Sequence, residues 1–262
     1  MSFPFKTVLV VGATSGIGLA MAERFVQEGK KVIAVGRRQD RLDAFVQKHG
    51  AEMTDSFVFD ITNTAGLDAF VADVTKKHPD LDCVYLNAGY QRPIALTDPA
   101  SVNLDDFHYE INLNFTCNVN LCIKFLPHLK SFNGPSCLMI TGTHISVIPA
   151  MMVPAYSAAK AAARAFFDCL RAQNEGSNVR FVDIGTPLVQ TELHDYMGEE
   201  RGRAMGMPVN AFVDQVFEQL EQGKEEVVVG VIGLANSDEF KGLLERRHKL
   251  FMELTALMRQ AH

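Results

Sequence analysis

Short apolar, β-branched runs recur along the chain at intervals that leave room for one helix between each pair. Strands are expected at Thr7–Gly12, Val32–Gly36, Phe57–Asp60, Cys83–Leu86, Cys137–Thr141, Val179–Ile184 and Val227–Ile232. They are nearly continuous apolar runs rather than alternating ones, as parallel strands covered on both faces require. Helical spacing fills the intervals, over Gly16–Glu28, Arg41–His49, Gly66–Lys77, Asn103–Leu129, Ala155–Gln173 and Val209–Glu221, with a last helix over Glu239–Met258. Alternation of this kind predicts an α/β fold: a doubly wound, seven-stranded parallel sheet with helices on both faces. No repeat, low-complexity tract or Pro/Gly/Ser linker divides the sequence, so one domain is expected over residues 1–262, with a substrate loop at about 188–210.

In such sheets ligands bind beyond the carboxyl ends of the strands, where strand order reverses. The first strand ends in Gly12-Ala13-Thr14-Ser15-Gly16-Ile17-Gly18, which opens a helix. Glycines there permit a tight turn and close approach to a pyrophosphate, and the helix start adds free N–H groups. The spacing is G-x-x-x-G-x-G, not the G-x-G-x-x-G of the usual dinucleotide fingerprint. The second strand ends Val35-Gly36-Arg37-Arg38, with two guanidiniums where a ribose-binding carboxylate often stands. Arginine suits a 2′-phosphate through bidentate, charge-assisted hydrogen bonds. NADP(H) is therefore expected over NAD(H), with Arg37 the main discriminator; Arg38 reads equally well as a solvated charge. Asp60 is placed to accept from an adenine amino group, and Asn87-Ala88-Gly89 to let the backbone pass close to the cofactor.

Composition narrows the partners. The chain has 262 residues and a net charge of −6, from 25 basic and 31 acidic side chains. A protein whose main partner is nucleic acid usually carries a basic footprint, so none is expected. The five cysteines form no C-x-x-C pair and read as reduced, mostly buried thiols. No His/Cys clustering fits a metal site. The N-terminus lacks the basic leader, long apolar core and cleavage site of a signal peptide, and no apolar run approaches the 20 residues of a membrane span. A cytoplasmic protein without membrane contact is expected.

Tyr156-Ser-Ala-Ala-Lys160 opens an alanine-rich helix, and a spacing of four puts both side chains on one face. An ammonium beside a phenol favours the phenolate, which makes tyrosine usable as a general acid or base near neutral pH. Upstream, after the fifth strand, the Thr143 hydroxyl is placed to stabilise charge on a substrate oxygen, with Thr141 and Ser146 as fallbacks. With these residues the whole chain resembles the short-chain dehydrogenase/reductase superfamily. Gly12, Gly16, Gly18, Asp60, Asn87-Ala88-Gly89, Asn112, Thr143, Tyr156 and Lys160 stand in family order and spacing.

The resemblance implies a single-domain Rossmann fold of NADP(H) type. It also implies a carbonyl reductase or alcohol dehydrogenase that moves hydride between nicotinamide and a ketone, aldehyde or secondary alcohol. Tyr156 would exchange the proton at the substrate oxygen, while Lys160 would lower its pKa and hold the nicotinamide ribose. Asn112 would support a water-linked proton relay, with Asn114 its nearby competitor. Thr191 would meet the nicotinamide carboxamide. A homodimer or homotetramer is implied as well.

Two departures stand out. Thr143 replaces the usual serine, and Gly185-Thr186-Pro187 replaces the Pro-Gly that usually follows the sixth strand. The second resembles a subgroup related to the reductase-like protein of D-alanine transfer operons. Alternatives on the same fold are an epimerase or dehydratase, or a catalytically weak, nucleotide-binding regulatory protein. Gln91, Arg92, His144, Ile145, Val147, Met151, Met152 and the Leu188–Met207 loop are expected to border the pocket. For the two methionines core packing is an equally good reading.

Overall fold

The computed structural model describes residues 3–233 and 237–260. Seven parallel strands form one sheet in the order β3-β2-β1-β4-β5-β6-β7. The strands are β1 (Thr7–Val11), β2 (Lys31–Gly36), β3 (Thr54–Val58), β4 (Cys83–Leu86), β5 (Ser136–Thr143), β6 (Val179–Thr186) and β7 (Glu226–Val228). Order reverses between β1 and β4, which places the glycine turn after β1 beside the end of β4.

Each central strand is apolar on both faces because each face meets helices. Val8 and Val10 of β1 join a core with Met21 and Phe25 of α1 (Gly16–Gln27) and Phe212 and Val216 of α8 (Val209–Glu221). Leu9 and Val11 point the other way, into a core with Phe70 of α3 (Leu67–Lys77), Phe125 of α5 (Cys117–Ser131) and Phe167 of α6 (Pro154–Gln173). Truncating a fully buried phenylalanine such as Phe25 or Phe125 costs roughly 3–5 kcal/mol in cores of this kind. Helix α2 (Gln39–His49) and two short loop elements complete the first half and the substrate side: α4 (Leu104–Ile111) and α7 (Glu199–Ala204). The C-terminal α9 spans Ser237–Gln260. Cys83, Cys117, Cys122 and Cys137 are buried free thiols, and Cys169 is exposed.

The differences from expectation have physical reasons. Strand β3 begins three residues before the expected Phe57, in the polar Thr54-Asp55-Ser56, because an edge strand has a side open to polar partners; Asp55 meets Lys77 and His78 there. Strands β5 and β6 run two residues past their expected ends, and their last pair in register is Thr143 with Thr186. Strand β7 is shorter than expected and stops at Val228. The long helix expected over Asn103–Leu129 is interrupted by a π-helical turn, Asn112–Thr116, between α4 and α5. The expected loop at 188–210 folds into a 3-10 segment, Glu192–Met197, followed by α7.

Candidate active site

The turn after β1 is built by contacts only glycine permits. Gly12 and Gly16 take positive φ of 88° and 55°. A Cβ on Gly18 would lie 2.1 Å from the Gly12 carbonyl oxygen and 2.5 Å from Asn87 Nδ2, so α1, the turn and β4 touch through bare backbone. Asn87 donates from Nδ2 to Gly12 O at 3.3 Å, and the Asn87 and Ala88 amides both donate to Val11 O at 3.0 Å. Gly89 packs against Asn114. The partly buried Ile17 anchors the helix start on the core.

The end of β2 is equally tight. A Cβ on Gly36 would come within 2.5 Å of Thr14 Cγ2, so the position that often carries a ribose-binding carboxylate has no room for one. Arg37 instead stands exposed at the rim, its Nη1 3.7 Å from Asp60 Oδ2 and 3.4 Å from the Tyr109 hydroxyl. Asp60 Oδ1 accepts from both the amide and hydroxyl of Thr62. Burial works against the Asp60 charge, but Thr62 and Arg37 outweigh it and hold the carboxyl below its ordinary range. Arg38 is turned inward: Nε and Nη2 reach Thr14 Oγ1, and Nη2 also reaches Ser15 Oγ. These groups fit a dinucleotide bearing an extra phosphate: a cradle of bare backbone, with guanidiniums but no carboxylate at the end of β2.

Tyr156 and Lys160 of α6 and Thr143 at the end of β5 are each less than a tenth exposed. Lys160 Nζ lies 5.5 Å from the centre of the Tyr156 ring and donates to Thr141 O at 2.9 Å. Burial lowers the Lys160 pKa to about 8, and Asp183 works against that fall. The depressed phenol expected from the pairing does not emerge. Burial pushes Tyr156 well above its ordinary value, and repulsion from Glu110 and Tyr196 adds to it. Water exclusion penalises phenolate and ammonium alike, and here it outweighs their mutual attraction.

Thr143 Oγ1 donates to Thr186 O at 3.2 Å and accepts weakly from the Ile145 amide at 3.4 Å. The two fallback hydroxyls have structural partners. Thr141 bonds to Tyr85 and Asn87 beneath the site, and Ser146 caps the Thr143 carbonyl. The buried His144 ring packs at a tilt of 49° against Phe240 of α9, with centroids 4.6 Å apart, and burial lowers its pKa. Met151 and Met152 are 87% and 60% exposed, which rules out the core-packing reading.

The two candidate asparagines, Asn112 and Asn114, have different surroundings. Asn114, fully buried, accepts from the Tyr90 amide and donates to the carbonyls of Tyr90 and Glu110. By taking the Glu110 carbonyl it draws that oxygen into a side-chain bond inside the helix, at the place where the π-helical turn opens. Asn112 lies in the same turn, only partly buried. A cavity of about 20 Å³ bounded by Asn114, Thr141 and Lys160 is large enough for one water.

Three acidic residues of the site were missed. Glu110 is 1% exposed, with Oε1 unpartnered, and burial pushes its carboxyl up to about 7. Asp183 lies beneath Gly142, paired with Arg164 at 3.5 Å, and burial pushes it up to about 6. Glu192 binds Arg38 and Arg41. Asp183 alone carried a mark in the sequence, a charge inside the apolar run of β6; Glu110 and Glu192 carried none.

Thr191 packs on Gly16, with a Cβ there only 3.1 Å away, so the loop after β6 returns to the glycine turn despite Pro187. Pro187 follows the last β6 residue, and its missing N–H removes no rung of the ladder. Comparison with known proteins agrees with this geometry. The model of the short chain dehydrogenase family matches residues 6–202. The chain belongs to this family. The oxidoreductase DltE of Bacillus subtilis is 29% identical over 231 residues, covering 87% of this chain and 89% of that protein. The NADP-dependent 3-hydroxy acid dehydrogenase YdfG of Salmonella typhi is 33% identical over 182 residues, 70% of this chain and 72% of its own. Among solved structures, a short-chain dehydrogenase from Sphingobium yanoikuyae in complex with NADPH superposes with a TM-score of 0.80 at 22% identity, covering 95% of this chain and 96% of that one. That likeness is one of fold. Among the described residues no helix is long and apolar enough to cross a membrane, and no three His, Cys, Asp or Glu side chains cluster as metal ligands.

Proposed function

We propose that this short-chain dehydrogenase is an NADP(H)-dependent oxidoreductase acting on a ketone, aldehyde or secondary alcohol. The carrying observation is the buried Tyr156/Lys160 pair, whose lysine bonds the Thr141 carbonyl of β5 two residues before the buried Thr143, at the carboxyl ends of the strands where the glycine turn also lies. The absence of space for a carboxylate at Gly36, with Arg37 following, favours the phosphorylated cofactor. The NADP-dependent relative supports the same choice. Gly12 to Gly18 and Asn87 to Gly89 would hold the pyrophosphate and the dinucleotide backbone. Asp60 would hold the adenine, Arg37 the 2′-phosphate, and Thr191 the carboxamide end.

When bound, the nicotinamide supplies or accepts the hydride. Tyr156 gives its phenolic proton to the substrate oxygen during reduction and takes it back during oxidation. A phenol kept protonated by burial suits the reductive direction. Thr143 turns its O–H from the Thr186 carbonyl to the substrate oxygen and stabilises the charge that develops there. Lys160 holds a ribose hydroxyl, and with a pKa near 8 it passes protons at physiological pH. Asn114, rather than Asn112, borders the water-sized cavity through which Lys160 is resupplied. Exposed Met151, Met152 and Leu188 offer an adaptable apolar wall to the substrate.

The test is NADPH oxidation with a panel of ketones, aldehydes and 3-oxo acids. Replacing Tyr156 with Phe should abolish turnover while leaving the NADPH Kd within about two-fold, because the hydroxyl acts on substrate and not on the dinucleotide. Saturable NADPH binding by the unaltered chain without turnover on any carbonyl or alcohol would favour a regulatory nucleotide-binding protein.

A further inference from the structure

Arg38 and Arg41 meet a partner that the cofactor reading does not supply. Arg38 Nη1 lies 2.8 Å from Glu192 Oε2, and Arg41 Nη1 lies 2.7 Å from Glu192 Oε1. The same two arginines hold the glycine turn: Arg38 through Thr14 Oγ1 and Ser15 Oγ, Arg41 through the Thr14 carbonyl at 3.2 Å. Glu192 opens the 3-10 segment of the substrate loop, directly after Thr191, which packs on Gly16. One carboxylate thus ties the loop over the site to the charged rim where β2 meets α2.

We propose that Glu192 is a positioning residue that competes with the cofactor's 2′-phosphate for Arg38 and Arg41, coupling the substrate loop to which dinucleotide is bound. The proposal rests on the NADP(H) reading above. A guanidinium pair gripping two carboxylate oxygens is equally suited to two phosphate oxygens, and a phosphomonoester carries up to twice the charge. Arg37, 61% exposed on its side chain and held by long contacts to Asp60 and the Tyr109 hydroxyl, makes the first contact with the phosphate. Arg38 and Arg41 then exchange Glu192 for phosphate, and the loop loses two of its ties to α2. A dinucleotide with a bare 2′-hydroxyl brings no competing anion, so the clamp on the loop stays shut. Two anions then compete for one site: Glu192 weakens every ligand that bears the phosphate, and only such a ligand releases the loop.

Two measurements on the full chain test this. In calorimetric titrations, Glu192→Gln, which keeps the shape and removes the charge, should tighten NADPH and adenosine 2′,5′-bisphosphate three- to ten-fold (about 0.7–1.4 kcal/mol). NADH and adenosine 5′-monophosphate should stay within two-fold, and Glu192→Asp should fall back toward the unaltered chain. In limited trypsinolysis, adenosine 2′,5′-bisphosphate should speed cleavage after Arg201 and Arg203 in the loop of the unaltered chain. In Glu192→Gln that cleavage should already be fast and indifferent to the ligand. Unchanged or weaker NADPH binding by Glu192→Gln, or cleavage that ignores the bisphosphate in the unaltered chain, overturns the proposal. The cofactor reading fails separately: it falls if the unaltered chain does not prefer NADPH, or if Arg37→Ala leaves that preference intact. A preserved, Arg37-dependent preference with an inert Glu192→Gln overturns the competition alone.

Discussion

Replacing Lys160 with Met should make the protein more stable and less active, and the gain should depend on pH. The ammonium is buried, and among the described residues it donates to the Thr141 carbonyl at 2.9 Å. Burial brings its pKa from 10.5 to about 8. The unfolded chain therefore binds more protons than the folded one between those values, and stability rises with pH across that window. At ~1.36 kcal/mol per pH unit, keeping Lys160 folded costs about 3 kcal/mol at pH 7 and about 1.4 kcal/mol at pH 9.5. Methionine fills a similar volume without the charge, so Lys160→Met should gain stability at pH 7. The gain is reduced by whatever the neutral amine's bond to Thr141 contributed, roughly 0.5–1.5 kcal/mol, the extra strength of the charged bond being already contained in the folded pKa. That reduction enters at both pH values, so the safer quantity is the difference: the advantage of the variant should be about 2 kcal/mol larger at pH 7 than at pH 9.5. Urea unfolding of both proteins, in a Tyr156→Phe background that removes the neighbouring titration, measures it. With a slope of ~2–3 kcal/mol/M, the midpoint separation should change by nearly 1 M between the two pH values. A separation that does not depend on pH would show that the ammonium pays no burial cost, and would remove the physical basis for a lysine poised near neutrality.

Other predictions follow from the same contacts. Gly18→Ala forces a Cβ to within 2.1 Å of the Gly12 carbonyl, so it should cost about 1–3 kcal/mol of stability and abolish NADPH binding, read by thermal melts with and without cofactor. Asn114→Ala strips three side-chain bonds to Tyr90 and Glu110 and should lower kcat at least ten-fold with some loss of stability, whereas Asn112→Ala should change neither by more than two-fold. Glu110→Gln should stabilise the protein at pH 8 and leave it unchanged at pH 4. The folded carboxyl, pushed up to about 7, holds protons that the unfolded one releases near 4.5, so native stability falls as pH rises through that interval. Chemical denaturation across pH 4 to 8 reads the trend, and a flat difference would sink it.

How much of this was legible in the sequence follows from what each residue answers to. Strands β1, β2 and β4 were readable almost to the residue because a strand covered on both faces must be apolar throughout. Strand β3 was not: at the sheet edge one side answers to solvent and to Lys77 and His78, so Thr54-Asp55-Ser56 carry no apolar signature. The glycine turn and the Tyr156/Lys160 spacing were readable because their geometry is local: a positive φ, a helix start, one helical turn. Asn112 and Asn114 could not be separated by spacing, because both lie in one helical pattern. What separates them is a contact 24 residues back, to the backbone of Tyr90, which only Asn114 makes among the described residues.

Glu192 is the extreme case. Locally it is an ordinary acidic residue opening a 3-10 turn, and nothing in Thr191-Glu192-Leu193 announces an arginine pair more than 150 residues away. Its burial opposes ionisation, yet Arg38, Arg41 and Ser15 bring its pKa to about 2, so the carboxylate stays charged throughout the physiological range. The same locality explains why the sequence alone could not place Arg38. A sequence reading treats an arginine as free to meet a ligand or free to meet solvent, whereas here Thr14, Ser15 and Glu192 claim its donors first. Motifs at the strand ends report the chemistry that the dinucleotide meets. The residues that decide when the site opens to that dinucleotide act across the sheet edge, through partners distant in the chain, and are visible only once the chain is folded.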